Sequence, residues 1–140
     1  MPNIVLADDK AVARRTILSI LKEEFPAGMT YTEADDGTAA VEKAEALHAD
    51  LVIMDLVMPG LNGLKAAQEL AKTCPETKVL VISMYDPKPL YDKLKEAGVR
   101  GFVSKSSAGV ALVPAIEALL SGKTFFGLPC SFSAVAAAVT

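Results

Sequence analysis

The sequence predicts an α/β protein with an open parallel sheet and helices on both faces. Five short apolar runs each precede an amphipathic stretch along the 140 residues, and strands that alternate with helices pair in parallel through right-handed crossovers. The runs at 51–54 and 79–82 are apolar without polar alternation, as expected for central strands covered on both faces. A chain of this length that is 51% hydrophobic forms one domain with a substantial core.

The first two strand–helix units occupy the N-terminal half of the chain. The apolar run at 3–7 predicts the first strand, and the stretch after it predicts a helix because apolar residues recur at helical spacing, at Val12, Ile17, Leu18 and Leu21. The β-branched and aromatic run at 29–34 predicts the second strand. The alanine- and glutamate-rich stretch that follows predicts a helix with one apolar face, formed by Val41, Ala44 and Leu47.

The other three units follow the same alternation. Their strands are predicted at 51–55, 78–83 and 101–105, and their helices at 64–74, at 87–97 and within 106–123. Gly98 predicts the end of the fourth helix, because glycine accepts the left-handed conformation in which many helices end. Pro114 lies inside the pattern of the last helix, where proline costs about 3 kcal/mol. We therefore expect that helix to begin late or to kink.

Composition and charge exclude several classes of protein. The net charge is -3, whereas proteins that hold nucleic-acid backbones are usually basic, so we expect no direct nucleic-acid binding. Two distant cysteines, Cys74 and Cys130, and the single His48 predict neither a zinc site nor a disulfide framework. This cysteine usage favours a reducing, cytoplasmic setting. We expect no signal peptide and no contact with a membrane, since no apolar run reaches the about 18 residues needed to cross a bilayer.

Polar residues stand where the predicted strands end. Asp8 and Asp9 follow the first strand, Asp55 ends the third, Ser83 ends the fourth and Lys105 ends the fifth, and in a parallel sheet these ends share one edge. Three neighbouring carboxylates repel one another unless a cation lies among them, and a site with few oxygen ligands suits Mg²⁺. A carboxylate nucleophile, a divalent metal, a lysine and a hydroxyl together predict acceptance of a phosphoryl group on Asp55.

Each of these residues also has a purely structural interpretation. Asp8 and Asp9 could cap the first helix and place an acid in its first turn. Asp55 could start an Asx-turn, Ser83 could cap the next helix, and Lys105 could be a solvated lysine. The functional interpretation depends on all five residues falling at the same end of separate strands.

Four motifs together resemble a bacterial response-regulator receiver domain, in the CheY-like superfamily, over about residues 3–122: VLADDK, IMDLVMPGLNGL, VLVISMYD and AGVRGFVSKSS. SMYD, GFVSKSS and IEALLSGKTFF are most similar to the LuxR/NarL-type subfamily. The resemblance implies a flavodoxin-like (βα)5 fold with strand order 2-1-3-4-5. It implies a receiver domain over 1–124 and a C-terminal tail or start of a linker over 125–140, with no effector domain.

The resemblance also assigns a chemical role to each matched residue. It implies that Asp55 is the phosphoacceptor and that Lys105 contacts the phosphoryl oxygens. It implies a Mg²⁺ site formed by Asp8, Asp9, Asp55 and the backbone carbonyl of Val57.

Two further pairs of residues are predicted to control the phosphorylated state. The resemblance implies that Ser83 is the switch hydroxyl and Phe102 the switch aromatic residue, which together alter the surface formed by helix 4, strand 5 and helix 5. In the fold that the resemblance implies, Val57 and Tyr85 would flank the approach of a hydrolytic water, and neither can orient that water as an amide or carboxylate could. We therefore expect a long-lived phosphoryl group.

The predicted function is reception of a phosphoryl group from a sensor histidine kinase or a small phosphoryl donor. The chain would be no enzyme beyond assisting its own phosphorylation and dephosphorylation, and it would regulate transcription through an effector domain absent from this sequence. A homodimer is a further predicted partnership.

The alternative function is a stand-alone receiver that acts as a protein-interaction module. A phosphatase of the haloacid-dehalogenase kind is disfavoured because Val57 cannot serve as its general acid, and LADDKAVA lacks the glycine-rich turn of a nucleotide-binding domain.

Overall fold

Strands and helices alternate along the part of the chain that the computed structural model describes, which comprises residues 2–25, 28–58, 61–84 and 91–126. The strands are β1 Asn3–Ala7, β2 Thr30–Ala34, β3 Leu51–Asp55, β4 Lys78–Ser83, β5 Gly101–Ser104 and β6 Phe125–Phe126. The helices are α1 Ala11–Glu24, α2 Gly37–Leu47, α3 Gly63–Thr73, α4 Tyr91–Glu96 and α5 Ala108–Leu120. Within these residues, no helix has both the length and the apolar character that a membrane span requires.

The sheet is parallel throughout, and its order is β2-β1-β3-β4-β5-β6. The flavodoxin-like order 2-1-3-4-5 predicted for the first five strands is confirmed. The sixth strand was not predicted: Phe125 and Phe126 pair with Gly101 and Phe102 at the outer edge of β5. These two residues belong to the segment 125–140, whose remaining residues lie outside the described part of the chain, so the boundary at residue 124 stays a prediction.

Alternate residues of the central strands enter two separate cores. One core packs the sheet against α2, α3 and α4 and receives the strand residues Val5, Ala7, Val52, Met54, Val79, Val81 and Phe102. The other packs the sheet against α1 and α5 and receives Ile4, Leu6, Leu51, Ile53, Leu80, Ile82 and Val103. Because both faces of β3 and β4 are covered, an apolar residue is favoured at every position, and this explains the absence of polar alternation in their sequences.

Side-chain caps and left-handed residues define the ends of several helices. Asp36 accepts a hydrogen bond from the Ala39 N–H at 2.7 Å and caps α2, whose other end is closed by His48 at a φ of 51°. Gly98 follows α4 at a φ of 92° and confirms the predicted helix stop. Leu47, predicted on the buried face of α2, is 40% exposed because it is the last residue of a helix whose buried contacts end at Ala44.

The expectation that α5 begins late because of Pro114 is wrong. The helix starts at Ala108, directly after a 3-10 turn, and continues through Pro114 to Leu120. Pro114 lies on the exposed side of the helix, and the carbonyl that loses its usual N–H donor belongs to Val110, a residue that is 67% exposed. On the opposite side, burial of Ala111, Leu112, Ala115 and Ile116 offsets the missing hydrogen bond.

Candidate functional site

The carboxyl ends of β1, β3 and β5 bring four of the predicted site residues together. Ligand oxygens of Asp8, Asp9 and Asp55 all lie within 4.8 Å of one another. Asp8 is fully buried and Asp55 is 6% exposed, whereas Asp9 faces solvent. Two carboxylates buried side by side are costly unless a positive charge compensates them.

Lys105 supplies that positive charge. Its Nζ donates a hydrogen bond of 2.8 Å to Asp8 Oδ2 and another of 2.8 Å to Asp55 Oδ2. Burial lowers the pKa of Lys105, but the hydrogen bonds to Asp55 and Asp8 and the attraction of both carboxylates raise it by more, so the pKa lies above its usual value of 10.5. The lysine is therefore charged at neutral pH, and the interpretation of Lys105 as a solvated surface residue is wrong.

Asp8 is held in a turn of its own and does not cap α1. Its Oδ1 accepts a hydrogen bond of 2.9 Å from the Lys10 N–H, and its own N–H donates to the Ala34 carbonyl at 3.1 Å. The N-cap position of α1 is Lys10, and the first turn of the helix contains no acid. The alternative in which Asp8 and Asp9 serve as a helix cap and a first-turn acid is therefore wrong.

Asp55 combines the structural and the functional interpretations. Its Oδ1 accepts a hydrogen bond of 3.1 Å from the Val57 N–H, which is the predicted Asx-turn. Its Oδ2 contacts Lys105 instead. The Asx-turn uses Oδ1 of Asp55 and leaves Oδ2 beside Lys105. The structural role in the turn and the predicted chemical role of this carboxylate are therefore compatible. The side chain of Val57 is 60% exposed beside this turn, and the role of its carbonyl as a metal ligand stays a prediction.

Two glycines allow the loop after β3 to pack closely against the helices. The Gly63 N–H donates to the Leu56 carbonyl at 3.0 Å, and a Cβ on Gly63 would lie 2.7 Å from the Asp55 carbonyl oxygen. A Cβ on Gly37 would lie 1.7 Å from the Leu61 carbonyl oxygen. No packing role was predicted for either glycine, because the backbone atoms that crowd them are brought near only by the fold.

The two predicted switch residues lie on neighbouring strands. Ser83 is buried and follows Ile82, the register partner of Asp55. Phe102 is also buried, and its ring centroid lies 6.0 Å from that of Tyr91 in α4. Their roles as switch residues stay predictions. Tyr85, the other residue predicted to govern phosphoryl lifetime, lies outside the described residues.

Arg14 is a residue that the sequence analysis missed. Its guanidinium donates to the Asp8 backbone carbonyl at 2.6 Å and to Glu33 Oε1 at 2.8 Å. No motif could have identified it, because one partner is a backbone atom and the other, Glu33, lies on β2 rather than on α1.

The donor atoms at the site fit a hard divalent cation. Asp8, Asp9 and Asp55 offer carboxylate oxygens within reach of one ion, and oxygen-only sites with few protein ligands suit Mg²⁺, which retains several waters. When bound, such a cation would neutralise negative charge on phosphoryl oxygens.

Comparison with protein-family models matches residues 4–117 to the response regulator receiver domain. Response regulator UvrY of Escherichia coli O6:H1 is 34% identical over 125 residues, which are 89% of this chain and 57% of UvrY. The oxygen regulatory protein NreC of Staphylococcus epidermidis is 32% identical over 133 residues, which are 94% of this chain and 61% of NreC. The chain therefore spans about three fifths of the length of these relatives.

Solved structures give the same family. The signal receiver domain of the NarL regulator of Mycobacterium tuberculosis superposes with a TM-score of 0.80 at 29% identity, over 87% of this chain and 98% of that one. A LuxR-family two-component response regulator of Aurantimonas superposes with a TM-score of 0.82 at 29% identity, over 99% of this chain and 98% of that one. With the parallel sheet order and the acidic edge beside Lys105, these matches establish that the chain belongs to the response regulator receiver domain family, and regulators of the LuxR and NarL type are among the proteins it is similar to.

Proposed function

We propose that this chain is the phosphoacceptor of a two-component system and that Asp55 receives the phosphoryl group, with Mg²⁺ held by Asp8, Asp9, Asp55 and the carbonyl of Val57. The donor is a sensor histidine kinase or a small phosphoryl compound. One observation carries the proposal: the Lys105 ammonium bridges buried oxygens of Asp8 and Asp55, with Asp9 beside them. Nothing in a purely structural turn requires two buried carboxylates and a lysine drawn from three strands.

The chemistry is an in-line displacement at phosphorus. One Oδ of Asp55 forms the new P–O bond while the bond from phosphorus to the donor atom breaks, and the electron pair of that bond leaves with the donor. Lys105, which neutralises the carboxylates before transfer, can turn its N–H groups to the transferred phosphoryl oxygens. The Ser83 hydroxyl then donates to another of these oxygens, and Phe102 adjusts its position in the core.

The downstream output belongs to the same proposal. Rearrangement of Ser83 and Phe102 alters the surface of α4, β5 and α5. Because the LuxR-family relatives are regulators longer than this chain, we infer that this surface controls a transcriptional effector, by dimerisation or by direct contact, in a cytoplasmic pathway.

Intact-mass measurement after incubation with acetyl phosphate tests the proposal. The parent chain should gain a single phosphoryl group when Mg²⁺ is present and none when the metal is chelated. Asp55→Asn should gain none, because an amide is a poor nucleophile. Asp35→Asn is the matched control, since Asp35 is an exposed aspartate outside the site, and it should be labelled like the parent. Undiminished labelling of Asp55→Asn, or no labelling of the parent, would overturn the assignment.

A further inference from the structure

Arg14 connects the acidic turn at the end of β1 to the edge strand β2. From α1, its Nη1 donates to the Asp8 carbonyl oxygen at 2.6 Å, and its Nε donates to Glu33 Oε1 at 2.8 Å. The Arg14 side chain is 17% exposed and that of Glu33 is 48% exposed. A planar guanidinium can hold two acceptors in a fixed relative position, which a lysine ammonium does less well.

The carbonyl that Arg14 holds belongs to the peptide group joining Asp8 to Asp9. The orientation of that peptide plane determines where both side chains begin, and these two side chains are two of the metal ligands of the proposed function. The same turn is also fixed by the hydrogen bonds from Asp8 to Ala34 and from Lys10 to Asp8. Arg14 adds the contact that acts directly on the peptide between the two ligands.

Glu33 anchors the guanidinium and cancels its charge. Glu33 is itself fixed, because it pairs in register with Leu6 of β1 and its carbonyl accepts a hydrogen bond of 2.6 Å from Lys43 Nζ in α2. The guanidinium therefore contacts the Asp8 carbonyl from a supported position. It also brings little net positive charge close to the carboxylates.

We infer that Arg14, anchored by Glu33, is a positioning residue for the cation site, and that it presets the Asp8–Asp9 peptide for metal binding. The inference rests on the proposed function. Partners that orient metal ligands without touching the metal typically change metal affinity by about 10- to 100-fold when they are removed.

The sign of the effect separates positioning from simple electrostatics. Removing a positive charge near three carboxylates should by itself tighten the binding of Mg²⁺. Loss of positioning should instead weaken it, so we expect Arg14→Ala to raise the dissociation constant about tenfold. Arg14→Lys, which keeps the charge but lacks the planar fork, should also weaken binding; if charge alone mattered it would match the parent.

Isothermal titration with Mg²⁺ alone measures these dissociation constants. Arg15→Ala is the matched control, because Arg15 is the next residue on α1, is exposed and carries the same charge. It should leave the affinity near that of the parent. In a double-mutant cycle, Glu33→Ala should weaken binding in the parent but have little further effect once Arg14 is alanine. Unchanged or tighter binding in Arg14→Ala, relative to Arg15→Ala, would overturn the inference.

A metal-free measurement keeps this inference distinguishable from the proposed function. Amide hydrogen exchange at Asp8 and Lys10, both donors in the turn, should speed up in Arg14→Ala and stay slow in Arg15→Ala. If the parent binds Mg²⁺ and is phosphorylated but both variants exchange alike, the positioning role fails alone. If the parent neither binds Mg²⁺ nor accepts phosphate, the proposed function fails and the inference fails with it.

Discussion

Lys105 lies between Asp8 and Asp55, two of the carboxylates that would hold a divalent cation. Each carboxylate gives one oxygen to the ammonium, at 2.8 Å in both cases. The lysine therefore compensates two buried negative charges, as a bound cation would. If metal and phosphate bind as proposed, they compete with the lysine, which must then release at least one of the two carboxylates.

Lys105→Gln should therefore destabilise the metal-free chain and favour metal binding. We expect the free energy of unfolding to fall by about 3 kcal/mol, because breaking a buried pair leaves uncompensated charge. Saturating Mg²⁺ should restore most of that loss, and the variant should bind Mg²⁺ more tightly than the parent. Urea unfolding with and without Mg²⁺ measures both effects, with the exposed Lys72→Gln as control. A loss that Mg²⁺ leaves unchanged would show that the lysine does not stand in for the cation.

The raised pKa of Lys105 predicts how this contribution varies with pH. A lysine whose folded pKa lies above its unfolded value contributes full stability below the unfolded pKa, here about 10.5, and loses it as pH rises through the folded pKa. The stability difference between the parent and Lys105→Gln should thus be constant near neutral pH and shrink in the strongly alkaline range. Because the comparison is between two variants, the titration of tyrosines cancels. A difference that grows with pH would contradict this account.

At the scale of elements, the contact between the end of β3 and the start of α3 determines where Asp55 lies. Asp55 ends a strand that is buried along its whole length, and the chain then turns and returns to within hydrogen-bond distance at Gly63. Asn62 caps α3 through the Lys65 N–H at 2.9 Å. The end of β3 and the start of α3 therefore lie so close together that no side chain fits at position 63.

Gly63→Ala should displace this loop at a cost in both stability and reactivity. A Cβ 2.7 Å from the Asp55 carbonyl and 2.9 Å from the Leu56 Cα must push backbone aside, so we expect a loss of about 1–3 kcal/mol. Phosphorylation by acetyl phosphate should slow because Asp55 leaves its position beside Lys105. Gly109→Ala is the control, since a Cβ there meets nothing within 4 Å. Equal labelling rates in the two variants would refute the role of close approach.

The elements differ in how far the sequence could predict them. β3 and Asp55 follow from a local rule, since an apolar strand that ends on a carboxylate before a Pro/Gly loop indicates a strand end with a function. α5 does not, because the local cost of Pro114 is outweighed by burial that becomes visible only in three dimensions. β6 and Arg14 were missed for the same physical reason: a stabilising partner of each, Tyr91 for β6 and Glu33 for Arg14, is distant in sequence.

At the scale of the whole molecule, three aromatic rings link the interior to the sheet edge. Phe102 of β5 contacts Tyr91 of α4, and Tyr91 contacts Phe126 of β6 with ring centroids 5.5 Å apart. Lys95 Nζ also lies 4.9 Å from the centroid of the Phe126 ring. A movement of Phe102 would therefore disturb α4 and β6 together.

Phe126→Ala should loosen α4 but leave intact the acidic site of Asp8, Asp9, Asp55 and Lys105. Aromatic pairs contribute about 0.5–1.5 kcal/mol beyond the area they bury, so we expect faster amide exchange in α4 and a stability loss of about 1–2 kcal/mol. Phe125→Ala is the control, because Phe125 packs on the opposite face against the core of α1 and α5. Equal exchange in α4 for both variants would show that the three rings do not act as one unit.

The short strand β6 also bears on how the domain behaves when it is concentrated. An open sheet edge invites strands of other molecules, and proteins limit this with very short edge strands and with lysines. Here β6 pairs with Gly101 and Phe102 of β5 and has only two residues. A strand of two residues is too short a template for a stable added strand. At the opposite edge of the sheet, the Lys43 ammonium donates a hydrogen bond to the Glu33 carbonyl of β2. A short edge strand on one side and a lysine on the other therefore disfavour self-templated aggregation at these two edges.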